Sequence, residues 1–216
     1  MATFTDHPPR PPLFVIEEHE YPTHHKTVVV LGLPNSGTSA TAAVIDALGI
    51  PIVRDEGIPN FEHSKIVYTR PQETAEFVRE CDSRLDVWGF KNPHMLAFHI
   101  GWFTANIRNP FYVIVTKDVT SICVRSQQAA LDDPRQPFVS SRECFRYQSQ
   151  RTMQFLAWVG EFCQAPIAAL GYYELLRQPV LACEQLRQFL QTPLDDAKLQ
   201  KAIRRIATDG GYLVSD

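Results

Sequence analysis

The chain has 216 residues, of which 44% are hydrophobic, so it has the length and apolar content of one globular domain with a buried core. Its 21 basic and 24 acidic residues give a formal charge of -3, which argues against the broad basic surface that nucleic-acid binding requires. A small basic pocket for one phosphorylated ligand stays compatible with that charge. The sequence contains no apolar run of about 18 residues, so no membrane-spanning helix is predicted.

Residues 1–25 are predicted to form a Pro-rich extended arm, and residues 26–216 a single domain. The arm lacks the apolar segment of a signal peptide, so we expect a cytoplasmic protein. Free thiols are favoured over a disulfide framework or a zinc site, because the cysteines are scattered and form no C-x-x-C pair. The five cysteines are Cys81, Cys123, Cys144, Cys163 and Cys183.

The first predicted unit of the domain is a strand, a loop and a helix. Thr27–Leu31 is a continuous β-branched run, which is typical of a strand buried on both faces of a parallel sheet. The loop Gly32–Ser39 follows, and apolar residues at helical spacing then predict a helix from Ala40 to Leu48. Gly49 marks its end.

The same alternation continues along the chain. Ser140 and Glu143 have the spacing of a capping box, which predicts the start of a long helix. Alternating strands and helices indicate an α/β fold with three layers, a mainly parallel sheet flanked by helices. Helices are predicted over 72–82, 96–107, 140–163 and 179–190, and strands over 87–90, 112–116 and 167–172.

The loop Gly32–Ser39 carries the clearest chemical signal. It matches a phosphate-binding Walker A loop in which Thr38 replaces the usual lysine. Backbone N–H groups of such a loop converge on an anion, and the helix that follows adds the positive end of its dipole. The alternative is an ordinary glycine-rich turn. Without the lysine, hydrolysis of ATP or GTP is the less natural function.

Four segments in order resemble the sulfotransferase family. The string GLPNSGTS at 32–39 resembles the family's 5′-phosphosulfate loop, G-x-P-[KR]-[SA]-G-[TS]-[TS]. WGFKNP at 88–93 is similar to W-G-x-K-[DN]-P, and YVIVTKD at 112–118 to the strand that carries the 3′-phosphate contacts. YELLRQP at 173–179 is similar to the family's Y-E-D-L segment. The resemblance covers residues 27 to 191.

This resemblance implies a P-loop-like architecture that uses 3′-phosphoadenosine 5′-phosphosulfate without a metal ion and releases adenosine 3′,5′-bisphosphate. The sulfuryl group would pass to a hydroxyl or amine of a small-molecule or glycan acceptor. The residues implied to bind the donor are Gly32, Pro34, Asn35, Ser36, Gly37, Thr38, Ser39, Lys117, Arg125 and Ser126.

The chain departs from the family pattern at both phosphate sites. Asn35 stands where the family has a basic residue, so it supplies a hydrogen bond but no positive charge at the leaving phosphate. Lys117 stands in place of an arginine, and Arg125 falls eight residues later, where the family has serine. Lys117 and Arg125, with the adjacent Ser126, are predicted to hold the 3′-phosphate.

The predicted catalytic residues are Lys91, His94 and Asn35. Lys91 can stabilise charge on the transferred group and partly replace the missing basic residue of the loop. His94 is three residues further along, and its imidazole suits a general base; the alternative is a solvated residue at a helix start. Segments 52–86 and 127–142 are expected to form the walls and lid of the acceptor pocket.

Two other functions remain open from the sequence. A P-loop phosphotransferase or kinase would need ATP and an acidic metal ligand, for which Asp118 is the obvious candidate. A non-catalytic nucleotide-binding protein of the same fold is compatible with the neutral Asn35.

Overall fold

A computed structural model describes residues 10–21, 24–57, 60–66, 69–93, 106–132, 140–162 and 165–207. Within these ranges the chain forms a five-stranded mixed sheet flanked by seven helices. The strands are β1 (Leu13–Glu17), β2 (Lys26–Gly32), β3 (Val87–Lys91), β4 (Pro110–Thr116) and β5 (Ile167–Gly171). The helices are α1 (Thr38–Ala47), α2 (Pro71–Arg84), α3 (Val119–Asp132), α4 (Ser141–Phe162), α5 (Tyr172–Arg177), α6 (Pro179–Phe189) and α7 (Asp196–Ala207).

The sheet has the strand order β1-β5-β4-β2-β3. The last four strands are parallel, as the sequence predicts, and β2 lies between β4 and β3 with Val28 paired to both Phe111 and Gly89. The edge strand β1 runs antiparallel to β5 and lies within the predicted N-terminal arm, so part of that arm belongs to the sheet. The carboxyl ends of the four parallel strands meet at one edge, where the chain turns into α1, α3 and α5.

Two apolar layers cover the two faces of the sheet, which confirms the predicted three-layer α/β class. On one face, Val28 and Val30 of β2 pack with residues of α1, α6 and α7. On the other face, Val29 and Leu31 pack with residues of α2 and α4, among them Trp158. Strand β2 is buried along its whole length, and its apolar side chains alternate between the two cores.

The predicted elements that fall on described residues are present, most with ends shifted by one or two residues. The capping box is formed, since Ser140 Oγ donates to Glu143 Oε2 at 2.6 Å and accepts from the Glu143 N–H at 3.4 Å. The helical stripe predicted over 96–107 lies mostly outside the described residues. The sequence pattern does not predict bounds for helices α3 and α7. None of the helices described is long and apolar enough to cross a membrane.

Asp82 joins α2 to the amino ends of two strands. Its Oδ1 accepts hydrogen bonds from the Thr27 hydroxyl at 2.9 Å and the Trp88 indole at 2.8 Å. Arg108 donates to the Asp82 carbonyl oxygen at 2.8 Å, and its Nε lies 3.6 Å from Oδ1. Only 13% of the Asp82 side chain is exposed, so its charge is largely removed from water and held by these partners.

We expect Asp82→Ala to lower the free energy of unfolding by about 2–4 kcal/mol, because it leaves two buried donors without their acceptor and removes the carboxylate beside the Arg108 guanidinium. Denaturant unfolding followed by fluorescence measures the change. Asp86→Ala is the matched control, since the Asp86 side chain is 81% exposed. We expect it to change stability by no more than about 0.5 kcal/mol. Equal losses in both variants would contradict the role assigned to Asp82.

Candidate functional site

The loop between β2 and α1 has a tight shape that a tyrosine ring fixes. Asn35 and Gly37 both have left-handed backbone conformations, with φ of 67° and 102°. The Ser36 N–H donates to the Leu33 carbonyl oxygen at 3.0 Å and closes the turn. Tyr172, at the start of α5, packs so closely that a Cβ added to Gly37 would lie 2.1 Å from its ring. Glycine is therefore required at position 37 both for its backbone conformation and for the space it leaves.

This loop ends at an uncapped helix start. Gly37 is the N-cap of α1, no side chain caps the helix, and its first turn contains no acidic residue. The first N–H groups of a helix have no partner within the helix. Ser36 directly precedes the N-cap residue Gly37. Its hydroxyl group is buried and has no hydrogen-bond partner among the described residues. These free donors fit the oxygens of a phosphate or sulfate group.

Lys91 brings a buried positive charge to the same helix start. It ends β3 and is 3% exposed. Its ammonium group donates to Ser39 Oγ at 3.0 Å and to Glu62 Oε1 at 2.7 Å. Burial lowers the pKa of Lys91, while the charge of Glu62 acts in the opposite direction. Because Ser39 belongs to the first turn of α1, the structure brings Lys91 and the loop into direct contact.

Glu62 is a member of this site that sequence analysis did not identify. The residue before it, Phe61, is buried and has a φ of 59°, a conformation that bulky side chains rarely adopt. The backbone of Glu62 is fixed by the Asp55 N–H, which donates to its carbonyl oxygen at 3.1 Å, and by Asn60 Oδ1, which accepts from its N–H at 3.3 Å. Such local strain is often found at functional positions. No motif in the sequence indicates Glu62, since it meets Lys91 only through the fold.

Asn35 connects the loop to α3. One N–H of its side-chain amide donates to Ser126 Oγ at 2.9 Å, and the Ser126 hydroxyl donates to the Ile122 carbonyl oxygen at 2.9 Å. The two residues expected at opposite phosphates of one nucleotide are therefore in direct contact. Because the Ser126 hydroxyl donates its proton within α3, its oxygen acts only as the acceptor for Asn35 of the loop.

Lys117 lies at the carboxyl end of β4, on the same edge of the sheet as the loop. Its ammonium group is 4.9 Å from the centre of the Tyr172 ring and 5.7 Å from that of Tyr173. Tyr172 therefore contacts both Lys117 and Gly37. Arg125 is half-buried on α3, next to Ser126 in the chain. Tyr173 begins one of the sequence motifs, whereas no motif indicates Tyr172. The role of Tyr172 depends on its contact with Gly37, which is far away in the chain.

The remaining predicted site residues can be placed as follows. His94 lies outside the described residues. Asp118, the candidate metal ligand of a kinase, caps α3: its Oδ1 accepts from the Ser121 N–H at 2.8 Å, and hydrogen bonds to Ser121 lower its pKa. Among the described ranges, no group of three or more His, Cys, Asp and Glu side chains is arranged to hold a metal ion.

Comparison with solved structures places this arrangement in a known fold. The sulfotransferase STF9 from Mycobacterium avium superposes with a TM-score of 0.62 and 10% identity, over 88% of this chain and 69% of that one. The sulfotransferase domain of the Synechococcus PCC 7002 olefin synthase gives 0.58 and 13%, over 90% and 82% of the two chains. Mouse sulfotransferase SULT7A1, solved in complex with PAP, gives 0.53 and 15%, over 90% and 72%.

Comparisons of the whole sequence gave no match. No family model matches it, and no curated protein matches it. At identities of 10–15%, the structural similarity shows that this chain has the P-loop-like α/β fold of the sulfotransferases. The resemblance found from four short sequence motifs is therefore confirmed at the level of the fold.

Proposed function

We propose that this protein is a sulfotransferase that uses 3′-phosphoadenosine 5′-phosphosulfate as its donor. The observation that carries the proposal is the contact of buried Lys91 with Ser39 at the uncapped start of α1. It combines free backbone donors with one enclosed positive charge. Such a site suits a sulfuryl or phosphoryl group whose oxygens gain negative charge during transfer. The sulfotransferase fold of the chain favours the sulfuryl group.

The donor's two ends would be held by different elements. Residues 32–39 would hold the 5′-phosphosulfate through their N–H groups and the Ser36 hydroxyl. Lys117 and Arg125 would hold the 3′-phosphate, with the tyrosine pair of α5 beside Lys117. Ser126 would contribute by keeping Asn35 in place. When bound, the donor supplies the sulfuryl group and leaves as adenosine 3′,5′-bisphosphate.

Lys91 and Glu62 would act at the transfer centre. Lys91, whose ammonium group lies 3.0 Å from Ser39 in the first turn of α1, would stabilise the sulfuryl oxygens and compensate for the neutral Asn35. Glu62 holds Lys91 at 2.7 Å, and its side chain is 41% exposed, so an incoming acceptor can reach it. A carboxylate in this position can accept the proton of an acceptor hydroxyl or amine. His94 is the second candidate for that role. The acceptor itself would be a small molecule or a glycan.

Calorimetric titration tests the donor assignment. We expect adenosine 3′,5′-bisphosphate to bind with micromolar affinity and ATP with magnesium to bind far more weakly. The opposite order would overturn the proposal and favour a phosphotransferase. Binding of the bisphosphate without turnover of the sulfated donor, over a panel of phenols, alcohols, amines and sugars, would favour a non-catalytic nucleotide-binding protein. The variant Asn35→Lys separates a sulfotransferase from a non-catalytic protein. Added positive charge at the leaving phosphate should raise the rate of sulfuryl transfer in an enzyme, and it should produce no turnover in a protein that only binds the nucleotide.

A further inference from the structure

Asp55 lies at the centre of the hydrogen bonds that shape segment 60–66, which carries Glu62. Its carboxylate accepts two hydrogen bonds from Ser64, one from the backbone N–H to Oδ2 at 2.8 Å and one from the hydroxyl to Oδ1 at 3.3 Å. Its own N–H donates to the Glu62 carbonyl oxygen at 3.1 Å. The hydrogen bond from the Ser64 N–H lowers the pKa of the Asp55 carboxyl, so both oxygens are acceptors at neutral pH. Asp55 therefore holds the chain at Glu62 and again two residues later.

His63 adds a further contact to the same carboxylate. Its Nε2 lies 3.5 Å from Asp55 Oδ1, and its ring stacks on Phe77 of α2 with 4.2 Å between the ring centres. His63 Nδ1 accepts the Lys65 N–H at 3.1 Å, so the proton of the neutral ring is on Nε2, which faces Asp55. Only 17% of the His63 side chain is exposed. The residue after Glu62 is thus packed against both Asp55 and α2.

Asp55 is in turn tied to strand β3. The Gly89 N–H of β3 donates to the Pro51 carbonyl oxygen, and the Val53 N–H donates to the Gly89 carbonyl oxygen, both at 2.9 Å. Asp55 follows Val53 by two residues. Because β3 ends in Lys91, one strand supports both that lysine and the segment that contains Asp55.

We propose that Asp55 is a positioning residue for sulfuryl transfer, an inference that rests on the proposed function. To receive the acceptor's proton, the Glu62 carboxylate must lie within hydrogen-bond distance of the acceptor while it holds Lys91. A side chain on a loop keeps such a position only when the residues around it are fixed. Asp55 supplies this support. Among the described residues, its carboxylate contacts only segment 60–66, so its loss should lower kcat and leave binding of the nucleotide unchanged.

Kinetics of Asp55→Ala test this role, with release of adenosine 3′,5′-bisphosphate from the sulfated donor as the measure of kcat. We expect kcat to fall about 10–100-fold, because displacement of a reacting group by about 1 Å has effects of this size. Calorimetry should show unchanged affinity for the bisphosphate. Asp55→Asn keeps the shape and one acceptor oxygen, so it should recover kcat to within about fivefold, the effect of one lost hydrogen bond.

Asp82→Ala is the matched control for lost stability. Asp82 accepts its hydrogen bonds from Thr27 and Trp88, at the amino ends of the strands, far from Lys91. We expect this variant to lose stability and to keep its kcat. An equal fall of kcat in Asp82→Ala and Asp55→Ala would overturn the proposal, and so would a fall of bisphosphate affinity that matches the fall of kcat.

A double-mutant cycle shows whether Asp55 acts through Glu62. In a protein that already carries Glu62→Ala, adding Asp55→Ala should lower kcat by no more than about twofold, because the side chain that Asp55 positions is absent. Losses that multiply in the double variant would overturn the proposal.

Acetylation of Lys91 by acetic anhydride, followed by mass spectrometry, tests the same contact without turnover. Displacement of Glu62 from its 2.7 Å contact leaves the buried amine without its carboxylate and favours the reactive neutral form. Lys91 should therefore react about two- to tenfold faster in Asp55→Ala, the range for loss of one hydrogen bond. Equal rates in the variant and the wild type would overturn the proposal. Faster labelling in a protein that turns over no sulfated donor would overturn the proposed function and leave the action of Asp55 on Glu62 in place.

Discussion

Lys91→Met is expected to lower kcat for sulfuryl transfer by about 10³-fold, the upper range for removal of one preorganised donor from a charge-stabilising site. The loss should be large here because Asn35 gives the loop no charge of its own. Lys91 is the buried cation that the structure places at the start of α1, 3.0 Å from Ser39. Methionine keeps most of the side-chain volume, so the fold should tolerate it. Release of adenosine 3′,5′-bisphosphate from the sulfated donor measures the rate.

Two further variants make this test specific. Lys65→Met removes an exposed lysine whose ammonium lies 5.3 Å from the centre of the Phe77 ring, and it should leave the rate unchanged. Glu62→Gln keeps a hydrogen-bond acceptor for Lys91 but removes the carboxylate. If Glu62 accepts the acceptor's proton, kcat should fall about 10²–10⁴-fold. A Lys91→Met enzyme with nearly normal kcat would remove the basis of the proposed mechanism.

Gly37→Ala is expected to weaken binding of adenosine 3′,5′-bisphosphate about 100-fold, because small displacements of positioning groups have effects of this size. Two physical effects add up at this position. The φ of 102° strains any residue with a Cβ, and that Cβ would lie 2.1 Å from the Tyr172 ring. We also expect the free energy of unfolding to fall by about 2–5 kcal/mol, from backbone strain and overpacking together. Calorimetry and denaturant unfolding measure the two losses.

Gly57 provides the matched control for the Gly37 variant. Its φ is 74°, but a Cβ there would meet nothing within 4 Å. Gly57→Ala therefore carries the backbone strain without the clash, and it should leave nucleotide binding intact. The double variant Gly37→Ala/Tyr172→Ala should recover part of the stability, since it removes the ring but not the strain. If the two glycine variants behaved alike, the contact with Tyr172 would have no part in shaping the loop.

The elements that sequence analysis identified are those with a strong local pattern. The β-branched runs of β2 and β4 mark strands buried on both faces, and their position and parallel order are confirmed. Helix α3 has a weak helical pattern in the sequence, because only Ile122 and Cys123 of its 14 residues are buried. Its bounds could therefore not be predicted. Strand β1 is short, follows two prolines and lies at the sheet edge, so it resembles an extended arm until it pairs with β5.

The residues of the candidate site that could be predicted are those that belong to a short sequence motif. The loop and Lys91 were found because each belongs to a short motif at a strand end. Glu62 and Tyr172 were not, since each reaches the site through contacts between residues distant in the chain. Asn35 and Ser126 are 91 positions apart in the chain, and no sequence pattern predicts their contact.

The pairing of Lys91 with Glu62 also bears on how quickly a ligand arrives. At 2.7 Å the two charges largely cancel at long range, and the loop itself carries no charged side chain. For a protein of net charge -3, we therefore expect the residues proposed to hold the 3′-phosphate, Lys117 and Arg125, to contribute more than Lys91 to guiding an anionic donor. In the proposed complex, the first encounter would take place at the 3′-phosphate end, and the buried pair would act after the phosphosulfate has displaced water from the loop.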